Sequence, residues 1–205
     1  MKVVVLLAGN AGAGKDTAAD ILCAMTGGVK MAYADPLKDA VSAMIGIPKS
    51  VLYGTQEQKE SFLAYGKSAR HWLQFVGTDL CRNHVHQDIW VHRLADRILA
   101  SASNFICCSD CRFRNEIDGL KARLRESANS DIKVISARIV NPRVPVNLAH
   151  RSESEIHNLP REAFDATIAN DGSLDDLRAK LWRLASDYFG GHLAIGAVSH
   201  GPTNY

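Results

Sequence analysis

Apolar runs separated by glycine, proline and short polar clusters divide the chain into alternating strand-like and helix-like segments. Val3–Ala8 is apolar without interruption, which predicts a strand buried on both faces of a parallel sheet. The residues after Lys15 have helical spacing as far as Met25, and Gly27-Gly28 stops them. Val29–Ala34 alternates well enough for a second strand, and Pro36–Ile45 reads as a helix ended by Gly46 and Pro48. Lys49–Lys67 is polar, carries Gly54 and Gly66, and reads as a loop with a short helix. Two amphipathic helices are predicted next. Ser68–Arg82 presents Trp72, Leu73, Phe75, Val76 and Leu80, and Asp88–Ala102 presents Ile89, Val91, Leu94, Ile98 and Leu99. Phe105–Ser109 is the third strand, Arg114–Arg125 a helix and Ile132–Val140 the fourth strand. Asn141–Arg151 is a proline-bearing loop, Phe164–Ala169 the fifth strand, and Ser173 caps a last helix over Leu174–Asp187. The alternation predicts an α/β fold, a three-layer sandwich whose five-stranded, mostly parallel sheet carries helices on both faces.

Composition narrows the setting. A length of 205 residues suits one α/β domain, here 1–189, with a helical insertion at about 36–104 and a glycine-rich tail at 190–205. The tail has no periodicity and reads either as disordered or as a contact for a second copy of the chain, a homodimer. A net charge of +2 argues against a broad nucleic-acid surface and is compatible with a local basic pocket. No apolar run approaches membrane-helix length, and Met1-Lys2 runs straight into the first strand without a signal sequence. Five cysteines, an odd number, fit a reduced, cytoplasmic chain.

The chemistry concentrates at Gly9-Asn10-Ala11-Gly12-Ala13-Gly14-Lys15, between the first strand and the first helix. In that setting G-x-x-x-x-G-K is a phosphate-binding loop: glycines let backbone N–H groups converge on one anion, the helix N-terminus adds partial positive charge, and Lys15 adds a full one. Asp16 stands where Ser or Thr usually offers Mg²⁺ a hydroxyl, and its carboxylate suits the same hard cation. Thr17 offers a hydroxyl to an inner phosphate.

Ligands of open parallel sheets sit beyond the carboxyl ends of the strands. Asp35 and Lys38 follow the second strand and are expected on the rim of the phosphate loop. Asp35 also reads as an N-cap with Pro36 at the first helical position, and both readings stand. Asp110, closing the third strand, is the candidate metal-side carboxylate. Arg112, Arg143 and Arg151 also follow strand ends, where cations could neutralise a moving phosphoryl group. Cys107, Cys108 and Cys111 converge poorly for zinc, and His84, His86 and His92 lack completing ligands.

Several motifs occur in order: GNAGAGKDTAAD at Gly9–Asp20, YADPLKDA at Tyr33–Ala40 and ARHWLQFVGTDLCR at Ala69–Arg82. DIW at Asp88–Trp90, SDCRFRNE at Ser109–Glu116, AHRSE at Ala149–Glu153 and IANDGSLDDL at Ile168–Leu177 follow. On these the chain resembles the phage-type deoxynucleoside monophosphate kinases, within the wider P-loop nucleoside and nucleotide kinase group. The GKD form of the loop is itself informative, since most such loops read GKS or GKT. The resemblance implies transfer of the γ-phosphoryl group of ATP, with Mg²⁺, to the 5′-phosphate of a deoxynucleotide for DNA precursor synthesis, in the host cytoplasm if the chain is phage-encoded.

Carried over by position, Asn10, Ala11, Gly12, Ala13, Gly14, Lys15, Asp16 and Thr17 would hold ATP phosphates, with Asp16 and Asp110 at the metal. Asn170 and Gly172 would border the adenine. Asp35 and Lys38 would lie at the acceptor phosphate. Arg70, Gln74, Thr78, Arg82 and Trp90 would contact the acceptor nucleotide. Asp110 and Arg112 would sit near the transferring group, and Arg143 and Arg151 would belong to a lid at about 141–160. Lys15, Asp35, Arg112, Arg143 and Arg151 would be the catalytic set. Cys111 and Arg114 depart from the family pattern, which more often has Val and Pro there; the first swap is neutral and the second adds a charge. A kinase acting on a hydroxyl of a modified base in DNA, a small-metabolite kinase and an ATP-driven switch are the alternatives.

Overall fold

The computed structural model describes residues 1–127, 131–145 and 151–189, with the side chains of 151–153 and 189 excepted. In chain order the elements are β1 (Lys2–Ala8), α1 (Lys15–Thr26), β2 (Val29–Met31), α2 (Asp35–Ile45), α3 (Lys49–Leu52) and α4 (Gln56–Ser61). Then come β3 (Leu63–Ala64), β4 (Lys67–Ser68), α5 (Ala69–Gln74), a π-helical segment (Phe75–Val85), α6 (Ile89–Ala100) and β5 (Phe105–Cys111). The chain ends with α7 (Arg114–Arg125), β6 (Ile132–Val140), α8 (Arg151–Asn158), a short 3₁₀ turn (Arg161–Ala163), β7 (Ala166–Ala169) and α9 (Leu174–Phe189). It divides into two units. The first holds residues 1–30, 103–109 and the described residues from 131 onward, and the second holds 31–102 and the described residues from 110 to 127.

A five-stranded sheet in the order β2-β5-β1-β6-β7 organises the first unit. β1 pairs in parallel with β6, Lys2 opposite Ile132 through Ala8 opposite Arg138, and β6 pairs in parallel with β7. Val3, Val5 and Leu7 point to one face. There they pack with Ile135, Ala137 and Ile139 of β6, with Ala18, Ala19 and Leu22 of α1, and with Leu177, Leu181 and Leu184 of α9. Val4 and Leu6, on the opposite face, are equally inaccessible, so β1 is covered on both sides as its unbroken apolar run requires. Burying each such side chain contributes about 1.5–3 kcal/mol. Gly27, left-handed at φ 66°, ends α1 by donating its N–H to the Cys23 carbonyl.

The second unit is built on its own apolar cluster of Val41, Ile47, Leu52, Ala69 and Val76, with Leu37, Trp72 and Leu73 against it. Three elements differ from expectation. A two-stranded hairpin, Leu63–Ala64 with Lys67–Ser68, stands within the stretch read as loop and short helix. The helix expected over Ser68–Arg82 changes character at Phe75 and continues as a π-helix to Val85, closed by the His86 N–H on the Cys81 carbonyl at 2.9 Å.

β2 also ends three residues early. The N–H groups that would have extended it are taken by carboxylates: Ala32 donates to Asp35 Oδ2 (2.9 Å), Tyr33 to Asp110 Oδ1 (2.9 Å) and Ala34 to Asp110 Oδ2 (3.0 Å). A backbone donor bonded to a side chain is lost to the sheet ladder.

Among the described residues no helix is long and apolar enough to cross a membrane. The tail at 190–205 and residues 146–150 of the expected lid lie outside the described residues.

Candidate active site

In the first unit the phosphate loop starts where β1 ends, and its shape depends on glycine. Gly9 has φ 141°, and a Cβ there would collide with the carbonyl oxygen of Ile139 on β6. Gly14 has φ 95°, and a Cβ there would collide with the Asn170 side-chain amide. An L side chain at either position would therefore be strained. Lys15, the first residue of α1, lays its ammonium back across the loop and donates to the carbonyls of Gly9 (2.7 Å) and Asn10 (2.8 Å). Asn170, expected at the adenine, braces the loop: its Nδ2 donates to the Ala13 carbonyl at 2.9 Å. Arg143 donates to the backbone carbonyl of Asp171, next to Asn170 and Gly172. Arg151 opens α8, and its side chain lies outside the described residues.

The loop fits a polyphosphate. Asn10 Nδ2 is buried without a hydrogen-bond partner among the described residues, a costly state that a phosphate oxygen would relieve. Asp16 and Thr17 lie exposed in the first turn of α1, where the helix N-terminus favours anions. Ser109 Oγ, near the end of β5, donates to Asp16 Oδ1 at 2.6 Å. The pair offers Mg²⁺ two hard oxygen donors, and this ion commonly takes only one or two from protein, the rest coming from phosphates and water.

In the second unit two of the expected carboxylates, Asp110 and Asp35, hold backbone N–H groups, and Asp35 holds side chains as well. Asp110 spends one oxygen on each of the Tyr33 and Ala34 amides. Burial pushes its carboxyl above the usual range, and those two amides and Arg112 pull it part of the way back. Its reading as a metal ligand thus meets a carboxylate already engaged in shaping the turn into α2. Asp35 accepts from Ala32 N, from the Tyr53 hydroxyl (2.9 Å) and from Arg97 Nη1 (2.9 Å), so both its oxygens are occupied. Lys38 rests its ammonium 3.9 Å from the centre of the Tyr53 ring.

Arg70 is held by Gln56 Oε1 (2.8 Å) and Glu60 Oε1 (3.1 Å). Arg82 pairs with Glu116 at 3.0 Å and lies over the Phe113 ring. Gln74, Thr78 and Arg112 are exposed. Trp90, expected at the acceptor nucleotide, is buried and donates its indole N–H to the Gly77 carbonyl (2.9 Å), which ties it to the π-helical segment.

Sequence reasoning passed over Tyr53, Arg97, Ser109 and Glu116. Glu116 is the buried one, accepting the N–H groups of Arg112 (2.7 Å) and Phe113 (3.1 Å) as well as Arg82. Its signal was a glutamate in the third position of α7, hidden because Phe113 precedes that helix in place of Ser or Thr. Tyr53 carries a measurable mark of its surroundings. Burial first, then the hydrogen bond to Asp35, pushes its phenol up to about 12. A folded pKa above the unfolded value of 10 means this contribution is whole below pH 10 and is lost as pH rises through about 12. Alkaline titration of phenolate absorbance should show a late-ionising tyrosine that disappears in Tyr53→Phe; a late step surviving in that variant assigns it to another ring.

Comparison with known proteins follows the same lines. The sequence model of the deoxynucleotide monophosphate kinase family matches residues 53–181. A protein of Acanthamoeba polyphaga mimivirus, provisionally assigned as a deoxynucleotide monophosphate kinase, is 29% identical over 192 residues, covering 87% of this chain and 94% of its own. The deoxynucleotide monophosphate kinase of Enterobacteria phage T4 is 24% identical over 244 aligned positions, covering 87% and 96%. Among solved structures, the APS kinase of Mycobacterium tuberculosis with AMPPNP and APS aligns with a TM-score of 0.50 at 13% identity, over 90% of this chain and 98% of that one, a likeness of fold.

Proposed function

Since the chain belongs to the deoxynucleotide monophosphate kinase family and is a nucleotide-binding transferase, we propose that it transfers the γ-phosphoryl group of ATP to the 5′-phosphate of a deoxynucleoside monophosphate. The observation that carries this reading is the glycine loop with Lys15 laid across it. Asn10 to Thr17 bind the donor phosphates, and Arg143, bonded to the Asp171 carbonyl, adds charge in the same unit. Asp16 and Ser109 would hold Mg²⁺, which would supply charge neutralisation at the donor phosphates.

On the acceptor side, Lys38, Arg70, Arg82 and Arg112 supply cations, and Gln74 and Thr78 supply exposed polar groups for the nucleoside. A nucleotide phosphate is largely dianionic near neutral pH, its second pKa being about 6, so its oxygen needs no strong base. Asp35 accordingly works as an orienting group. With both oxygens bonded, it holds Tyr53 and Arg97 in place rather than taking a proton. What the reaction demands is cancellation of repulsion between two polyanions, together with exclusion of water that would hydrolyse ATP.

Incubation with Mg-ATP and each deoxynucleoside monophosphate in turn, with products resolved by chromatography, tests the reading. At least one diphosphate is expected. Label appearing only on an oligonucleotide acceptor would favour the base-hydroxyl kinase, and ATP hydrolysis indifferent to every acceptor would favour a switch.

A further inference from the structure

Lys38 stands three residues after Asp35 on α2, a spacing at which a lysine and a carboxylate ordinarily pair. Among the described residues Lys38 forms no ion pair, and the bonds around Asp35 show why. Its Oδ1 accepts from the Tyr53 hydroxyl at 2.9 Å, and its Oδ2 accepts from the Ala32 amide and from Arg97 Nη1, each at 2.9 Å. Arg97, on α6, also neutralises the carboxylate. The Lys38 ammonium lies instead over the Tyr53 ring, 3.9 Å from its centre.

Tyr53 is fixed for that task from two sides. Its backbone N–H closes α3 on the Lys49 carbonyl (2.9 Å), and α3 is fastened to α2 by Lys49 on Asp39 at 2.6 Å. Its hydroxyl is held by Asp35, and its phenol, pushed up to about 12, stays a neutral donor throughout the physiological range. A ring face attracts an ammonium through its quadrupole, without the charge cancellation a carboxylate would bring. The arrangement holds a lysine in place with its charge uncancelled.

We propose that Tyr53 is a positioning residue for the acceptor: its ring, locked by the hydroxyl on Asp35, keeps the Lys38 ammonium off that carboxylate and available to the acceptor's 5′-phosphate. This rests on the acceptor reading of Lys38 given above, and adds a residue that brings no charge of its own.

Tyr53→Leu removes ring and hydroxyl together, and frees an Asp35 oxygen to capture Lys38. The acceptor KM should rise about 5- to 20-fold, with kcat and the ATP KM within about threefold. Tyr53→Phe keeps the ring face and should recover most of that loss. Lys38→Met should raise the acceptor KM by about 10- to 100-fold. Adding Tyr53→Leu to Lys38→Met should raise it no further, because the ring then has no ammonium to place. Effects that multiply would mean that the ring meets the nucleotide itself. An unchanged acceptor KM in a Tyr53→Leu protein that only melts earlier would mean that the ring merely supports the fold. Either result overturns the proposal. Proton NMR of the ligand-free protein separates it from the functional reading. The Lys38 ε-methylene protons should be shifted upfield by the ring in wild type and in Tyr53→Phe, and lie at ordinary positions in Tyr53→Leu. If that pattern holds but no deoxynucleotide is phosphorylated, the placement of Lys38 by Tyr53 stands and the proposed reaction falls. Ordinary positions in the wild type remove the placement, whatever the activity.

Discussion

Replacing Lys15 with methionine should reduce kcat by at least about 10²-fold while leaving the protein folded. The asymmetry comes from what the ammonium touches. Its bonds to the Gly9 and Asn10 carbonyls hold it across the loop in a partly buried position. Removing them frees two carbonyls at the edge of solvent, at a cost of about 1–3 kcal/mol, or several degrees of melting temperature in a chain of this size. The catalytic loss is of another kind. Charge aimed at a phosphoryl group as it becomes more anionic acts mostly in the transition state, and deleting one such donor typically costs about 2.7–4 kcal/mol of activation free energy. Steady-state turnover with Mg-ATP and a responsive deoxynucleotide, beside a thermal melt, separates the two effects. Wild-type turnover in a folded Lys15→Met protein would show that the loop is not the donor site.

The loop was legible because all its determinants are local. An apolar run, glycines at fixed intervals and a lysine opening a helix are contiguous, and the φ values of 141° at Gly9 and 95° at Gly14 are ones only glycine takes readily. Asp110 shows where local reading stops. Its place at a strand end was visible, but its two amide partners lie 77 and 76 residues earlier in the chain, so the early end of β2 could not be anticipated.

The hairpin was hidden for a different reason. Its strands are two residues long, and its turn puts Tyr65 at φ 51° before Gly66 at φ 72°, a left-handed pair of which only the glycine could be expected. The π-helical segment likewise has no local cause. It is held from outside by Trp90 on the Gly77 carbonyl, and Gly77 lies so close to Leu37 that a Cβ would come within 2.7 Å of its Cδ2. Arg82 stands in the motif that points to the acceptor, but the buried partner that orients it, Glu116, lies 34 residues further along the chain and is not visible from that motif.

Truncating that partner, Glu116→Ala, should destabilise the fold by about 3 kcal/mol or more. Glu116 is 2% exposed and accepts three hydrogen bonds, from Arg82 and from the backbone of Arg112 and Phe113. Burial pushes its carboxyl above the ordinary value, the Arg112 amide and Arg82 opposing this, so the ionised form is costlier in the fold than in water and the pair is not itself a large source of stability. The penalty arises from what alanine leaves behind: a guanidinium that has lost its partner and two N–H groups without an acceptor.

Glu116→Gln keeps the acceptor oxygen for those amides and should cost less. The sign of the pH dependence follows from the same shift. A carboxyl whose folded pKa lies above its unfolded value of 4.5 loses stability on ionising, so the wild-type advantage over Glu116→Gln should be greatest in acid and narrow as pH rises above 4.5. Urea unfolding of the three proteins at acidic and neutral pH measures both effects. Because Arg82 would no longer be held against Glu116, acceptor KM should rise in Glu116→Ala even at temperatures where it is fully folded. A folded Glu116→Ala protein with wild-type acceptor KM would separate Arg82 from the acceptor altogether.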